Sequence, residues 1–251
     1  MMAPSTNSRF STALAVETYK LRRSRALLLA TICPSLIAGF VFFHQLRLGK
    51  PASWDMMLTS SAAIWSFFML PMSVTALTAL MAHTEHGPRA WDHLRSLPRP
   101  RWHVHLAKAI CVLGLLVAMS VLLATLTSLA VLGAGWWQPS VAATDSPDYA
   151  RYLALLGRIF ASSWLLVAVQ LWVALRFSSF VPALALGIGG TFFAVVATSA
   201  SIGLAMPWQI PVNQLAADLG RAQLALGIGF VGGVVVLVMM LFALSRREIL
   251  D

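Results

Sequence analysis

The feature that most constrains this chain is the length of its charge-free stretches. The gaps between successive Asp, Glu, Lys and Arg residues are long enough for a membrane crossing in six places, at 26–46, 56–84, 109–144, 159–175, 177–217 and 222–245. A helix needs about 20 apolar residues to cross the hydrocarbon core of a bilayer. The fourth gap has only 17 residues. The long Arg158 side chain at its border can reach toward the interface, so the span can extend beyond the gap.

The composition supports the same class, because 59% of the 251 residues are hydrophobic and only 11% are charged. Soluble domains carry about twice that share of charge. We therefore predict an all-α integral membrane protein that forms a single transmembrane domain over 1–251, with no stretch left for a soluble core. The predicted spans are about 27–44, 56–82, 104–134, 153–175, 180–206 and 224–244. Prolines 207 and 211 interrupt the fifth gap, and they predict a surface or re-entrant element packed on the bundle before the last span.

The basic charge is distributed unevenly, which predicts an orientation. If the amino terminus is cytoplasmic, 13 of the 18 Lys and Arg residues fall on the cytoplasmic side. The positive-inside rule then places both termini in the cytoplasm. Residues 9–25 have the apolar and basic pattern of a helix lying in the membrane interface. Topology and anionic lipid headgroups account for the net charge of +9, and nothing in the pattern points to nucleic acid.

The longest polar stretch between predicted spans, which includes the segment 84–103, has the pattern of a site that contacts a partner or the membrane surface. Between Thr84 and Lys108 it holds five of the 18 Lys and Arg residues and four of the six histidines. Apolar side chains recur at Ala90, Trp91, Leu94 and Leu97, a spacing that puts them on one face of a short helix. We interpret the segment either as an amphipathic helix that offers an apolar ridge to a soluble partner or as a solvated loop against lipid headgroups.

Several kinds of chemistry are missing from the sequence. No G-x-x-x-x-G-K-[ST] motif surrounds any of the three lysines, so ATP, if it is used, must be bound by another chain. Arg158 and Lys108 lie close to the ends of predicted spans, so no ionisable residue is expected at mid-depth, and Gln170 is only a weak polar candidate. This disfavours an ion-driven carrier. Cys33 and Cys111 lie inside predicted spans, which excludes a disulfide scaffold.

Five histidines fall in or beside the polar segment, at positions 83, 86, 93, 103 and 105. Histidine is the commonest metal ligand in proteins. The H-E-x-x-H spacing is absent, however, and His103 and His105 are expected on roughly opposite sides of a helix. Contacts with headgroups or a partner are therefore favoured over a specific metal site.

Two segments resemble a known family. Glu17-Thr-Tyr-Lys20-Leu-Arg-Arg-Ser24 resembles the amino-terminal interface helix of type-2 ATP-binding-cassette (ABC) exporter permeases. The pattern Glu85-His-Gly … Trp91-Asp-His-Leu94 … Leu97-Pro98 … Arg101-Trp102 resembles the loop between spans two and three in the branch that includes bacitracin- and lantibiotic-immunity permeases. Arg99-Pro100 departs from that pattern, where a small apolar and then a small polar residue are more usual.

The resemblance implies a transport subunit that is not itself an enzyme, in the plasma membrane of a bacterium. The polar segment would be a coupling helix that docks in a groove of a cytoplasmic ATPase, which binds ATP and Mg²⁺. The implied coupling residues are Glu85, Gly87, Trp91, Leu94, Leu97, Pro98 and Arg101, and the implied interface-helix residues are Glu17, Lys20, Arg22 and Arg23. A second permease chain, identical or different, would complete the transporter, and the cargo would be an amphipathic peptide antibiotic, drug or lipid.

Two other functions fit the same pattern. One is an integral-membrane enzyme that acts on lipid or prenyl substrates through the His- and Arg-rich loop. The other is an immunity or assembly protein that binds a peptide without transporting it. The enzyme predicts turnover by the purified single chain, and the binding protein predicts protection without an ATPase partner.

Overall fold

The computed structural model describes residues 6–22, 24–86, 102–177, 179–196 and 201–246, and every regular element in these ranges is helical. The α-helices are α1 (Thr6–Arg22), α2 (Ala26–Leu48), α3 (Trp54–Ile64), α4 (Leu70–His86), α5 (Trp102–Trp137), α6 (Tyr149–Ser162), α7 (Trp164–Arg176), α8 (Val181–Val196) and α9 (Leu219–Arg246). Short 3-10 helices lie at Pro139–Val141, Ser201–Leu204 and Val212–Leu215. The predicted all-α class is confirmed for this part of the chain.

Five helical stretches within the described ranges are long and apolar enough to cross a bilayer. They are Ala26–Leu48, Trp54–His83, Trp102–Trp137, Tyr149–Arg176 and Leu219–Ser245. Each extends a few residues beyond the corresponding predicted span at both ends. Their outward surfaces are apolar, as a hydrocarbon environment requires: Phe43 on α2, Leu129 on α5 and Phe242 on α9 are each more than half exposed.

The fifth predicted span, 180–206, is an α-helix only over Val181–Val196 among the described residues. The helix α8 has 16 residues, which at 1.5 Å per residue is about 24 Å and shorter than the hydrocarbon core of about 30 Å. Residues 201–204 form a 3-10 helix instead. Asn213 Nδ2 donates to the carbonyl of Gly203 at 3.2 Å, and a Cβ on Gly203 would meet the Gln209 side chain. This close packing turns the chain back into the bundle.

The segment 208–214, between α8 and α9, is buried throughout although it forms no α-helix. The indole of Trp208 lies against Gly190 of α8, where a Cβ would overlap the ring. Ile210 packs against Gly229 of α9, where a Cβ would lie 2.8 Å from its Cγ2. Irregular backbone is tolerated at membrane depth only where protein covers it. The expected element packed on the bundle before the last helix is therefore present.

A π-helical turn, Trp65–Met69, joins α3 to α4 immediately before Pro71. The Leu70 amide donates to the carbonyl of Trp65, one residue further back than in an α-helix. Proline lacks an amide hydrogen and its ring collides with the carbonyl four residues earlier in a regular helix. The wider turn accommodates Pro71 without ending the helical path, so the predicted span over 56–82 continues through it.

The helices α6 and α7 meet at a break that α9 crosses closely. The Ser163 amide donates to the carbonyls of both Ile159 and Phe160 at 3.1 Å, which marks the break at the end of α6. A Cβ on Gly229 would collide with the Ser162 carbonyl, and one on Gly233 would collide with the backbone of Trp164. We call this contact the α9 crossing. Glycine at both positions allows the helix backbones to approach this closely.

The two ends of the bundle are distinct. The helix α1 packs against the first turns of α5, and we call this the α1 end. At the opposite end, Gln45 Nε2 donates to the Val141 carbonyl at 3.0 Å, and the Trp54 amide donates to Asp145 Oδ1 at 2.9 Å. The carboxylate thereby caps the amino terminus of α3, where it also opposes the positive end of the helix dipole.

Candidate functional site

The helix α1 presents a buried stripe to the bundle that contains a carboxylate. Ala13, Glu17 and Leu21, spaced by four residues, are at most 8% exposed, whereas Val16 and Tyr19 are 45% and 54% exposed. Residues four apart share one face of a helix. The face that α1 turns toward α5 is therefore apolar above and below a single acidic side chain.

Glu17 is held by two ammonium groups. Lys108 Nζ lies 2.8 Å from Oε2, and Lys20 Nζ lies 2.8 Å from Oε1. The Lys108 side chain is fully buried and the Glu17 side chain is 4% exposed, while that of Lys20 is 35% exposed. Burial raises the pKa of the Glu17 carboxyl, but the charges and hydrogen bonds of Lys108 and Lys20 outweigh it, so the pKa lies below its ordinary value. We call these three residues the α1 ion-pair cluster.

Two further contacts align α1 along α5. The ring of Phe10 meets that of His103 edge to face, with centroids 5.8 Å apart. One turn beyond Lys108, Cys111 Sγ lies 3.9 Å from Thr18 Oγ1. The helix α1 is thus fixed to α5 at three successive levels, and the middle one is an ion pair. Such an arrangement orients the two helices relative to each other.

The interface-helix residues that the resemblance implies separate into two groups. Glu17 and Lys20 lie together in the α1 ion-pair cluster, Arg22 is exposed at the end of α1, and Arg23 lies outside the described residues. The position of α1 in a membrane interface stays a prediction. Sequence reasoning missed Lys108 as a partner of Glu17, because the two residues are 91 positions apart and no local pattern links them.

The implied coupling residues fall almost entirely outside the described part of the chain. Glu85 lies in the last turn of α4, and Gly87, Trp91, Leu94, Leu97, Pro98 and Arg101 are among the residues that the structure does not describe. Their role stays a prediction. The helices that flank them are described, and α4 ends and α5 begins at the α1 end of the bundle.

Both His103 and His105 are buried at the start of α5, at 5% and 4% exposure, although they were expected on opposite sides of the helix. The side chains of residues two apart in a helix do point in different directions, but this turn is packed on both sides. No group of three or more His, Cys, Asp or Glu side chains suited to hold a metal occurs among the described residues.

Gln170 is the polar residue in the middle of a span that the sequence singles out. It is fully buried, and its Nε2 donates to Thr75 Oγ1 at 2.7 Å and to the Ala183 carbonyl at 3.4 Å. A Cβ on Gly187 would overlap both Thr75 and Gln170. We call Gln170, Thr75 and Gly187 the amide node. It ties α4, α7 and α8 together with neutral groups, which is a structural role and does not form a charge relay.

Comparison with known proteins identifies the family. A family model described as "ABC-2 family transporter protein" matches residues 13–198, about three quarters of the chain. The chain belongs to the ABC-2 transporter family. Searches of the curated proteins and of the solved structures gave no significant match.

The ABC-2 match begins within α1, ends just after α8, and therefore includes the α1 ion-pair cluster and the amide node. An ABC-2 chain is a multi-pass membrane subunit of an ABC transporter, and membership implies an ABC ATPase as its partner. The general form of the resemblance stated from the sequence is thus confirmed. The helix α9 lies beyond the matched range, although it packs closely against α6 and α7 within that range.

Proposed function

We propose that the chain is the permease subunit of an ATP-driven exporter in the plasma membrane of a bacterium. In this proposal α8 is a short additional span beside the five long ones, so that six spans place both termini in the cytoplasm, and a second permease chain, identical or different, completes the pathway. The cargo is an amphipathic molecule, either a peptide antibiotic, a drug or a lipid. ATP and Mg²⁺ bind to a separate cytoplasmic ATPase, since this sequence has no phosphate-binding loop.

The observation that carries the proposal is the α1 ion-pair cluster. Lys108 lies on the helix that begins directly after the segment 87–101, and it holds Glu17 of α1 at 2.8 Å. A push on that segment is therefore delivered to α5 and to α1 together. This supports a role for the segment as the coupling element, in which Trp91, Leu94 and Leu97 form the ridge that docks in the ATPase.

Co-purification tests the coupling role. Trp91→Ala combined with Leu94→Glu removes an aromatic anchor and places a charge on the ridge. We expect the tagged full-length variant to reach the membrane and to lose the ATPase subunit that accompanies the wild type, as measured by mass spectrometry of the purified complex. His93→Glu is the matched control, because it adds a carboxylate to the same segment outside the proposed ridge and should retain the ATPase.

Recovery of the ATPase with the double variant, at the wild-type level and with transport intact, would refute the coupling role. Orientation is tested separately by thiol labelling of a Trp91→Cys variant in cells and in inverted vesicles. Labelling from the outer face of intact cells would contradict the proposed topology.

A further inference from the structure

The end of the bundle opposite α1 contains a cavity that the proposed coupling does not use. It has a volume of about 420 Å³ and lies between the first turns of α3 and α6 and the segment 214–219. Leu58, Leu155 and Leu215 form apolar walls, and the Tyr152 side chain closes one side with its hydroxyl 2.7 Å from Ser61 Oγ. The volume falls within the range of small-molecule sites, about 300–1,000 Å³.

Four charged side chains line the cavity, and three of them are engaged with each other or with the backbone. Arg151 Nη1 lies 3.2 Å from Asp55 Oδ1, and both side chains are largely exposed. Asp148 Oδ1 accepts a hydrogen bond from the Arg151 amide at 3.0 Å and caps α6. Arg158 is different, since within the described residues its guanidinium is bonded only to a neutral group, Gln214 Oε1, at 3.2 Å from Nε.

The position of Arg158 within its span makes the lack of a carboxylate partner among the described residues unusual. Tyr149 at the same end is 42% exposed and is the kind of residue that lies at headgroup level. Arg158 is nine residues further along the span than Tyr149, which corresponds to about 14 Å of helix. A cation at that depth is costly unless it is paired or hydrated, and it marks a functional site. The terminal guanidinium nitrogens are available to a ligand that carries the missing negative charge.

The mouth of the cavity points to a lipid as the source of that charge. Thr59 and Ala154, which also line it, are exposed and lie one turn inward from the starts of α3 and α6. The opening therefore extends down the side of the bundle, where acyl chains lie, as well as over its end. Apolar walls beside a cation that has no carboxylate partner among the described residues suit an amphiphile with an anionic group better than a small aqueous anion.

We propose that this cavity binds a membrane lipid whose phosphate pairs with Arg158 and whose acyl chain lies along Leu58, Leu155 and Leu215. The two aspartates at the mouth, Asp55 and Asp148, remain engaged as described and would repel an anion that approached only from the aqueous end. The site is independent of the coupling segment, so it stands whether or not the proposed ATPase docking is correct.

Lipid retention by the purified full-length chain tests the site. Native mass spectrometry would compare dioleoylphosphatidylglycerol with dioleoylglycerol, which has the same acyl chains without the phosphate. We expect the wild type to retain one phosphatidylglycerol at least about tenfold more tightly, because charge-assisted hydrogen bonds are roughly twice as strong as neutral ones. Arg158→Gln should bring the two lipids to similar retention, and Arg158→Lys should keep most of the preference.

Arg221→Gln is the matched control. Arg221 is also half-buried and donates from Nε to an amide oxygen, that of Asn213 at 2.8 Å, but it does not line the cavity. It should keep the wild-type preference. Should Arg158→Gln fail to fold, Ala154→Trp fills the mouth without removing the charge, and it should lower retention of both lipids.

Two results would overturn the proposal. One is an unchanged preference for phosphatidylglycerol in Arg158→Gln, or wild-type retention of both lipids in Ala154→Trp. The other is displacement of the phosphatidylglycerol by millimolar inorganic phosphate, which would show that the site takes an aqueous anion and not a lipid.

Discussion

The α1 ion-pair cluster predicts an asymmetry between its two buried partners. Removing the carboxylate leaves the charge of Lys108, whose side chain is fully buried, without its 2.8 Å counterion. Breaking a buried pair in this way costs about 3–5 kcal/mol. Since the amide of Glu17→Gln can still accept a hydrogen bond, we expect the lower end, about 3 kcal/mol.

Removing the cation has a different consequence. Lys108→Met keeps the side chain's length and eliminates the buried ammonium, while Glu17 keeps its contact with Lys20 at 2.8 Å. Removal of one partner of a buried pair is costly when the other is left unpaired, but here Lys20 still pairs with Glu17, so we expect a smaller change of about 1 kcal/mol. Glu17→Leu combined with Lys108→Met should then be closer to the wild type than Glu17→Gln is.

Cys111 provides the assay. It is buried at 8% exposure, one turn from Lys108 and 3.9 Å from Thr18, so its alkylation requires α1 to move away. In a Cys33→Ala background, about 3 kcal/mol corresponds to a roughly hundredfold faster reaction with N-ethylmaleimide in Glu17→Gln. Lys108→Met should stay within about tenfold of the wild type. Cys33, measured in a Cys111→Ala background, is the control and should react at an unchanged rate.

The reasoning is refuted if Lys108→Met exposes Cys111 more than Glu17→Gln does. That order would mean that the ammonium contributes through attraction well beyond the cost of burying it. Equal, wild-type rates in both variants would show that apolar packing alone holds α1 on α5.

Three further predictions follow from described contacts. The pKa of the Glu17 carboxyl is lowered in the fold, so the contribution of Glu17 to α1 docking is complete above the ordinary glutamate pKa and is lost as pH falls through the lower folded pKa. The rate of Cys111 alkylation, corrected for the thiolate fraction, should therefore be constant from about pH 5 to 7 and should rise only in stronger acid. Gly187→Ala places a methyl group on the amide node and should lower the thermal midpoint by the equivalent of about 1–3 kcal/mol, whereas Gly189→Ala, with open space around it, should not. Gly233→Ala should be destabilising to a similar or greater degree because it meets backbone at the α9 crossing, whereas Gly232→Ala meets only leucine methyl groups at 3.6 Å or more and should be tolerated.

The membrane helices were predictable because their signal is local. Long charge-free stretches identify spans without knowledge of what packs against them, and the observed helices exceed the predicted ones mainly because polar terminal turns such as 45–48 remain helical. The fifth span shows where this reasoning stops. Residues 201–206 carry no charge, like the spans, but prolines 207 and 211 follow them and Gly203 packs against Gln209, and only this packing is invisible in the sequence.

The α1 ion-pair cluster was only half predictable. The amphipathic pattern of residues 9–25 correctly indicates a helix, but it assigns Glu17 and Lys20 together to the polar face. In the fold, Glu17 lies within the buried stripe and only Lys20 reaches the surface. A buried acidic residue on an amphipathic helix requires a counterion, and that counterion comes from a helix 91 residues away. Pairing of this kind depends on tertiary packing and leaves no periodic trace.

The length of α5 explains how a movement of the polar segment 87–101 can be transmitted through the membrane-spanning bundle. From Trp102 to Lys108 the helix rises about 9 Å, and along this length Phe10 and Glu17 bind α1 to it. The same helix continues without a break to Trp137, about 44 Å beyond Lys108 at 1.5 Å per residue. A displacement at the start of α5 is therefore carried as a rigid-body motion, since no proline lies within α5 to absorb it. The spans that contain α3 and α6 differ from α5 because each is interrupted. The π-helical turn follows α3 and the break at Ser163 follows α6, and the spans can bend at these points. We expect motion to pass along α5 and to be accommodated at these two interruptions.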